Sequence, residues 1–159
     1  MSESIKVAVR IRPLVDSEIS RGCQTCLDVA LNENQIIVRS DKGFTYNYVF
    51  DQHSSQDQVY NVAVESLVKK LFEGFNVTIL AYGQTGSGKT HTMGTCYAGE
   101  GDMGVIPRAV EDIFKHVENH PDWDYHISVS FMELYKEQLY DLLATDRAVV
   151  EIREDAKGK

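Results

Sequence analysis

Residues 77–90 read Val77-Thr78-Ile79-Leu80-Ala81-Tyr82-Gly83-Gln84-Thr85-Gly86-Ser87-Gly88-Lys89-Thr90, a short apolar run that passes into a glycine-rich loop. From Gly83 to Thr90 the residues fit GxxxxGK[ST] at every fixed position. The residue types follow from the chemistry. Gly83, Gly86 and Gly88 let the backbone take positive φ and approach a ligand closely. The N–H groups of Gln84, Thr85 and Ser87 then turn inward with theirs as a nest for phosphate oxygens. A helix beginning near Lys89 would bring its positive end to the same spot. Lys89 is expected on the β- and γ-phosphates, and the Thr90 hydroxyl on a Mg²⁺ ion that bridges them. A chance glycine turn is the competing reading. The predicted context, a buried strand at Val77–Ala81 before the loop and a helix after it, is the one the motif requires. The stretch therefore predicts binding of a nucleoside triphosphate, ATP or ADP, and says nothing of what its hydrolysis drives.

Outward from the loop, strands and helices interleave. Ile5, Val7, Val9 and Ile11 alternate with polar or small residues, which predicts a half-buried strand closed by Pro13. Residues 36–39 and 44–50 read as two strands joined by Ser40-Asp41-Lys42-Gly43. Ser55 with Gln58 forms a capping box, so a helix should run to about Glu73, with Val59, Val62, Ala63, Leu67 and Leu71 as its apolar stripe. Pro107 should open a further helix that buries Val110, Ile113, Phe114 and Val117. Residues 126–135 predict a long strand, 138–143 a helical turn and 149–153 a last strand. The fold class is α/β, a mixed sheet with helices on both faces.

The chain has 159 residues, enough for about one domain with a core of its own. Apolar residues make up 43% and charged residues 25%, an ordinary globular balance. The net charge of −8 argues against unspecific adhesion to nucleic acid or anionic lipid. No apolar run approaches the ~18 residues of a membrane span. The N-terminal residues do not look like a secretory leader, so an intracellular, reducing setting is expected. Three cysteines do not make a disulfide framework. Cys23 and Cys26 form a CxxC, but the zinc reading lacks ligands and the redox reading lacks its helix, which leaves two small half-buried residues. His116 and His120 read as exposed residues in a last helical turn.

The wider sequence is specific. Tyr82 to Met93 closely resembles the nucleotide loop of the kinesin motor domain. In order along the chain, Lys6-Val7-Ala8-Val9-Arg10-Ile11-Arg12-Pro13 resembles its first strand, and Tyr48-Val49-Phe50-Asp51 with Gln58-Val59-Tyr60 the segment that follows. Gly104-Val105-Ile106-Pro107-Arg108 and Ser130-Phe131-Met132-Glu133-Leu134-Tyr135 with Asp141-Leu142-Leu143 are similar to later family motifs. Glu18 to Cys23 and Ile152 to Asp155 look most like the chromokinesin branch. The resemblance implies a P-loop NTPase fold, present here as the N-terminal part of a motor domain over residues 1–159. It implies an ATP-driven microtubule motor, with Arg10 and Pro13 lining the adenine pocket and His91 against the base. A solvated strand-end charge for Arg10 and a plain first-turn helix residue for His91 remain the competing readings.

The family pattern continues with N-x-x-S-S-R-S-H and D-L-A-G-S-E segments, and neither occurs in these residues. The main tubulin-binding surface, the neck, the coiled coil of a homodimer and a tail able to meet chromatin are expected elsewhere. Location on cytoplasmic or spindle microtubules, or in the nucleus, is what the resemblance implies. The 159-residue chain by itself is expected to be marginally stable, prone to aggregate and poor at turnover, because its sheet lacks strands. Two other classes compete: an unrelated small-molecule kinase, which should show an arginine cluster for a second phosphate, and a non-catalytic truncated product that binds nucleotide or regulates a partner.

Overall fold

A computed structural model describes residues 5–95, 97–146 and 148–153. Its contacts group into two compact units, one ending at His120 and one beginning at Pro121. In chain order the elements of the first unit are β1 (Ala8–Arg10), α1 (Asp16–Ser20), β2 (Leu27–Ala30), β3 (Gln35–Val38), β4 (Lys42–Thr45), β5 (Tyr48–Phe50), α2 (Gln56–Ala63), α3 (Glu65–Leu71), α4 (Lys89–Met93) and α5 (Val105–Asn119). The second unit holds β6 (Met132–Tyr135), β7 (Gln138–Asp141) and β8 (Val149–Val150).

Among the described residues the chain is mixed α/β, with its strands in three small sheets. β1 pairs in parallel with β5, Val9 opposite Val49. β2, β3 and β4 form an antiparallel meander, and β6, β7 and β8 form another. The β3–β4 connection turns at Arg39 and Ser40, both at positive φ.

The first unit's core lies under α2 and α3. Tyr60, Val64, Val68 and Val105 are buried together, with Ile79 and Met93 packed against them. Each such side chain contributes roughly 1.5–3 kcal/mol by leaving water. Ile79 precedes the phosphate loop and Met93 ends the helix after it, so both flanks of the loop are held by this core. The capping box is present: Gln58 N–H donates to Ser55 Oγ at 3.1 Å and Ser55 N–H to Gln58 Oε1 at 2.9 Å.

Several predicted elements are shorter or different. The first strand keeps only Ala8–Arg10, and Ile5 is 91% exposed. The 44–50 strand divides between β4 and β5, which belong to different sheets. The 55–73 helix breaks at Val64, a β-branched residue at φ −120°. Its buried stripe is Val59, Tyr60, Val64 and Val68, while Val62 and Leu71 are exposed. The predicted polar stretch before Gln24 contains α1. Residues 77–81 form no strand, and Leu80 is 85% exposed. Residues 126–131 likewise form none, so only Met132–Tyr135 of that prediction pairs. An extended segment becomes a strand only when a neighbour accepts and donates its backbone hydrogen bonds in series; among the described residues 77–81 has no such neighbour, and 126–131 has a single bond, from Leu142 N–H to the Phe131 carbonyl at 2.8 Å. Pro107 is the third residue of α5 rather than its opener, and Val110 and Phe114 are exposed on its outer side. The predicted helical turn at 138–143 is β7, which pairs on both sides with β6 and β8. The last strand is limited to Val149–Val150. Cys23 and Cys26 are exposed rather than half-buried. His120 is exposed as expected, but His116 is half-buried, stacked between Phe72 and His120.

Candidate functional site

The loop adopts the backbone that its glycines permit. Gly83, Gly86 and Gly88 have φ of 154°, 80° and 92°. A Cβ at Gly83 would lie 2.5 Å from Ser87 Oγ, so any other residue there would have to push that hydroxyl aside while holding a backbone that side chains rarely adopt. Gly88 caps α4, which has five residues and a second glycine cap at Gly94. A helix of little more than one turn has a small macrodipole. The positive character of the loop therefore rests on its N–H groups and on Lys89. That ammonium folds back onto the loop, donating to Gly83 O at 2.7 Å and Gln84 O at 2.8 Å.

Beside the loop lies a cleft of about 450 Å³. Of the residues predicted for the site, Arg10, Pro13, Ser87, Gly88, Lys89 and His91 line it. Gly83, Gln84, Thr85, Gly86 and Thr90 belong to the same loop and helix but lie outside the lining. The cleft gathers Arg10, Arg12 and Lys89 against one acidic lining residue, Asp102. A local cationic site thus exists on a chain of net charge −8. Arg12 is partly neutralised, because it makes a bidentate pair with Glu18 at 2.8 and 2.7 Å. That hydrogen-bonded pair holds the Glu18 carboxyl down at about 2, assisted by the N–H of Val15. Burial lowers the pKa of Arg10 from its ordinary value, but a guanidinium stays charged at any physiological pH.

Arg10 is more than a wall. Its Nη1 donates to Gln56 Oε1 at 2.6 Å and to Thr92 Oγ1 at 3.0 Å, and its Nη2 to the Ser54 carbonyl at 3.2 Å. Gln56 in turn donates from Nε2 to the His91 carbonyl at 2.6 Å. The end of β1, the start of α2 and the helix after the loop thus meet on one guanidinium. This is not the solvated strand-end charge that competed for Arg10. Sequence reasoning missed Gln56, Ser54 and Thr92. A signal for Gln56 existed: at a spacing of four it shares the stripe of Tyr60 and Val64, and a polar residue on a buried stripe needs partners.

Thr90 is exposed, and no group of three His, Cys, Asp or Glu able to hold a metal occurs among the described residues. A single hydroxyl fits Mg²⁺, which takes few protein ligands and fills its shell with phosphate oxygens and water. No helix is long and apolar enough to cross a membrane among the described residues.

The family model described as Kinesin motor domain matches residues 10–159. The chain is 47% identical over 159 aligned residues to the chromosome-associated kinesin KIF4A of Homo sapiens, covering 96% of this chain and 13% of that protein. It is 48% identical over 160 residues to the chromosome-associated kinesin KIF4 of Xenopus laevis, with the same two coverages. To the kinesin-like protein KIF27 of Homo sapiens it is 46% identical over 159 residues, covering 97% of this chain and 11% of that protein.

Proposed function

The chain belongs to the kinesin motor domain family, and from that premise we propose that it is the ATP-binding part of a microtubule-based motor that couples ATP hydrolysis to movement. It spans about one eighth of the length of the chromosome-associated relatives it matches, 13% in each case, so the activity belongs to the whole protein and residues 1–159 act as the N-terminal part of its motor domain. The observation that carries the reading is the phosphate loop itself: three glycines at positive φ around Lys89, beside a cleft lined by cations.

In the proposed site the N–H groups of Gly83 to Gly88 receive the phosphate oxygens. Lys89 exchanges its two carbonyl contacts for the β- and γ-phosphates, a better match for an ammonium than neutral dipoles. Thr90 offers its hydroxyl to Mg²⁺, which when bound neutralises charge between those phosphates. Arg10, Pro13 and His91 form the purine wall, where a pyrrolidine, an imidazole and an arginine stem give flat, half-apolar surfaces. The relatives' names support placing the motor on the microtubule cytoskeleton and near chromosomes. Dimerisation and a chromatin-directed tail are part of the same proposal and lie outside these residues.

Isothermal calorimetry with magnesium ATP and magnesium ADP tests the site. Saturable heat that Lys89→Ala abolishes is expected. Heat unchanged in Lys89→Ala, or none with the wild type, would overturn it. Microtubule co-sedimentation tests the motor assignment. Binding strengthened by a non-hydrolysable ATP analogue is expected of a working motor core. Its absence with intact nucleotide affinity would favour the non-catalytic product. An unrelated small-molecule kinase is not supported, since the chain belongs to a motor family.

A further inference from the structure

Gln56 is only 5% exposed, the one polar side chain in the buried set of the described residues. It lines the cleft beside the loop, and both ends of its amide are committed. Oε1 accepts from Arg10 Nη1 at 2.6 Å, and Nε2 donates to the His91 carbonyl at 2.6 Å. Its side chain therefore joins the two residues assigned to the purine wall, one on β1 and one on α4. Among the described residues no other side chain bridges Arg10 to the backbone of His91. Thr92 and Ser54 hold the guanidinium as well, but neither reaches the His91 carbonyl.

We propose that Gln56 is a positioning residue of the nucleotide site, setting the distance and angle between the Arg10 and His91 walls that hold the purine. The proposal rests on the nucleotide reading given above. It has a consequence that a merely structural glutamine would not have. The phosphate end is bound by loop amides and Lys89, which Gln56 does not contact. Loss of the bridge should weaken ligands that carry a purine and spare those that are phosphate alone. A misplaced wall loses contact energy steeply, since the contacts are short-ranged.

The test compares magnesium ADP with inorganic tripolyphosphate by calorimetry, on wild type, Gln56→Leu and Gln56→Glu. Gln56→Leu removes both hydrogen bonds at similar size. Gln56→Glu keeps the acceptor for Arg10 and loses the donor to His91. ADP affinity is expected to fall about tenfold in Gln56→Leu, the scale of one hydrogen bond to a charged group. It should fall in Gln56→Glu as well, where a carboxylate oxygen would face the His91 carbonyl oxygen, and tripolyphosphate affinity should change by a smaller factor than ADP affinity in either variant. Circular dichroism confirms folding, and if Gln56→Leu does not fold, Gln56→Glu carries the same comparison. Wild type that binds both ligands while the variants lose them in parallel, or lose neither, overturns the role of Gln56 alone. Wild type that binds neither ligand overturns the nucleotide site and Gln56 with it.

Discussion

Gly94→Ala is a sharp test of how the phosphate-loop helix is seated. Gly94 ends α4 at φ +76°, and its backbone lies directly on Gly104, which caps α5. A Cβ on Gly94 would meet Gly104 N at 2.6 Å, Gly104 Cα at 2.7 Å and Pro107 Cδ at 3.1 Å. Two costs combine. A left-handed conformation with a side chain costs about 1 kcal/mol, and forcing a methyl into backbone costs about 2 kcal/mol more. The sum is about 3 kcal/mol, a large share of the ~5–15 kcal/mol that holds a domain together. For a chain of this size that is a fall in Tm of about 9 °C. Two further variants separate the terms. Gly104→Ala sits at φ −87° but would place its Cβ 2.3 Å from Gly94 N, so it carries the steric cost alone, about 2 kcal/mol. Gly99→Ala sits at φ +95° with nothing within 4 Å, so it carries the conformational cost alone, about 1 kcal/mol. Urea denaturation followed by circular dichroism measures all three. If Gly94→Ala and Gly104→Ala both fall within ~0.5 kcal/mol of Gly99→Ala, the backbone contact between α4 and α5 is not there.

Tyr60→Phe removes the hydrogen bond from the Tyr60 hydroxyl to Asp112 Oδ2 at 2.7 Å, and should cost about 1–2 kcal/mol in the same denaturation assay. Burial first, then that bond to Asp112, push the Tyr60 pKa well above its ordinary value. The folded state thus keeps a proton that the unfolded state loses near pH ~10, so this contribution is intact below that pH and declines above it; ultraviolet titration should show one late-ionising tyrosine. Glu18 behaves oppositely. Its folded pKa of about 2 lies below its ordinary 4.5, so the contribution of the Arg12 pair is present above pH 4.5 and is lost as pH falls through 2; the carboxyl carbon shift followed by NMR should titrate there, and a midpoint near 4.5 would mean that the pair does not persist in solution. Ser55→Ala removes the side-chain acceptor of the α2 cap and should lower stability by about 1 kcal/mol, with Thr restoring most of it.

The parts of this protein written in local chemistry were legible beforehand. The glycine spacing of the phosphate loop, the Ser55–Gln58 box and the α5 helix each depend on residues within a turn or two, and each is present. What failed depends on partners distant in sequence. Val77 to Ala81 has the composition of a buried strand, yet apolar side chains do not supply the neighbour's backbone groups that a ladder needs. Residues 138–143 were misread for the converse reason: Leu139 is apolar at a spacing that suits either period, and pairing with β6 and β8 decided for a strand. At the site, Arg10, Pro13 and His91 line one cleft; the purine they would flank belongs to the proposal. For Gln56 the sequence held a signal, its place on a buried stripe, but not its partners, because its two contacts reach positions 46 and 35 residues away.

The placement of Lys89 has a bearing on what its replacement would remove. With its ammonium resting on the Gly83 and Gln84 carbonyls, the side chain ties the start of α4 back to the first turn of the loop. A substitution there takes away an internal tether as well as a positive charge, so the shape of the turn and its charge change together.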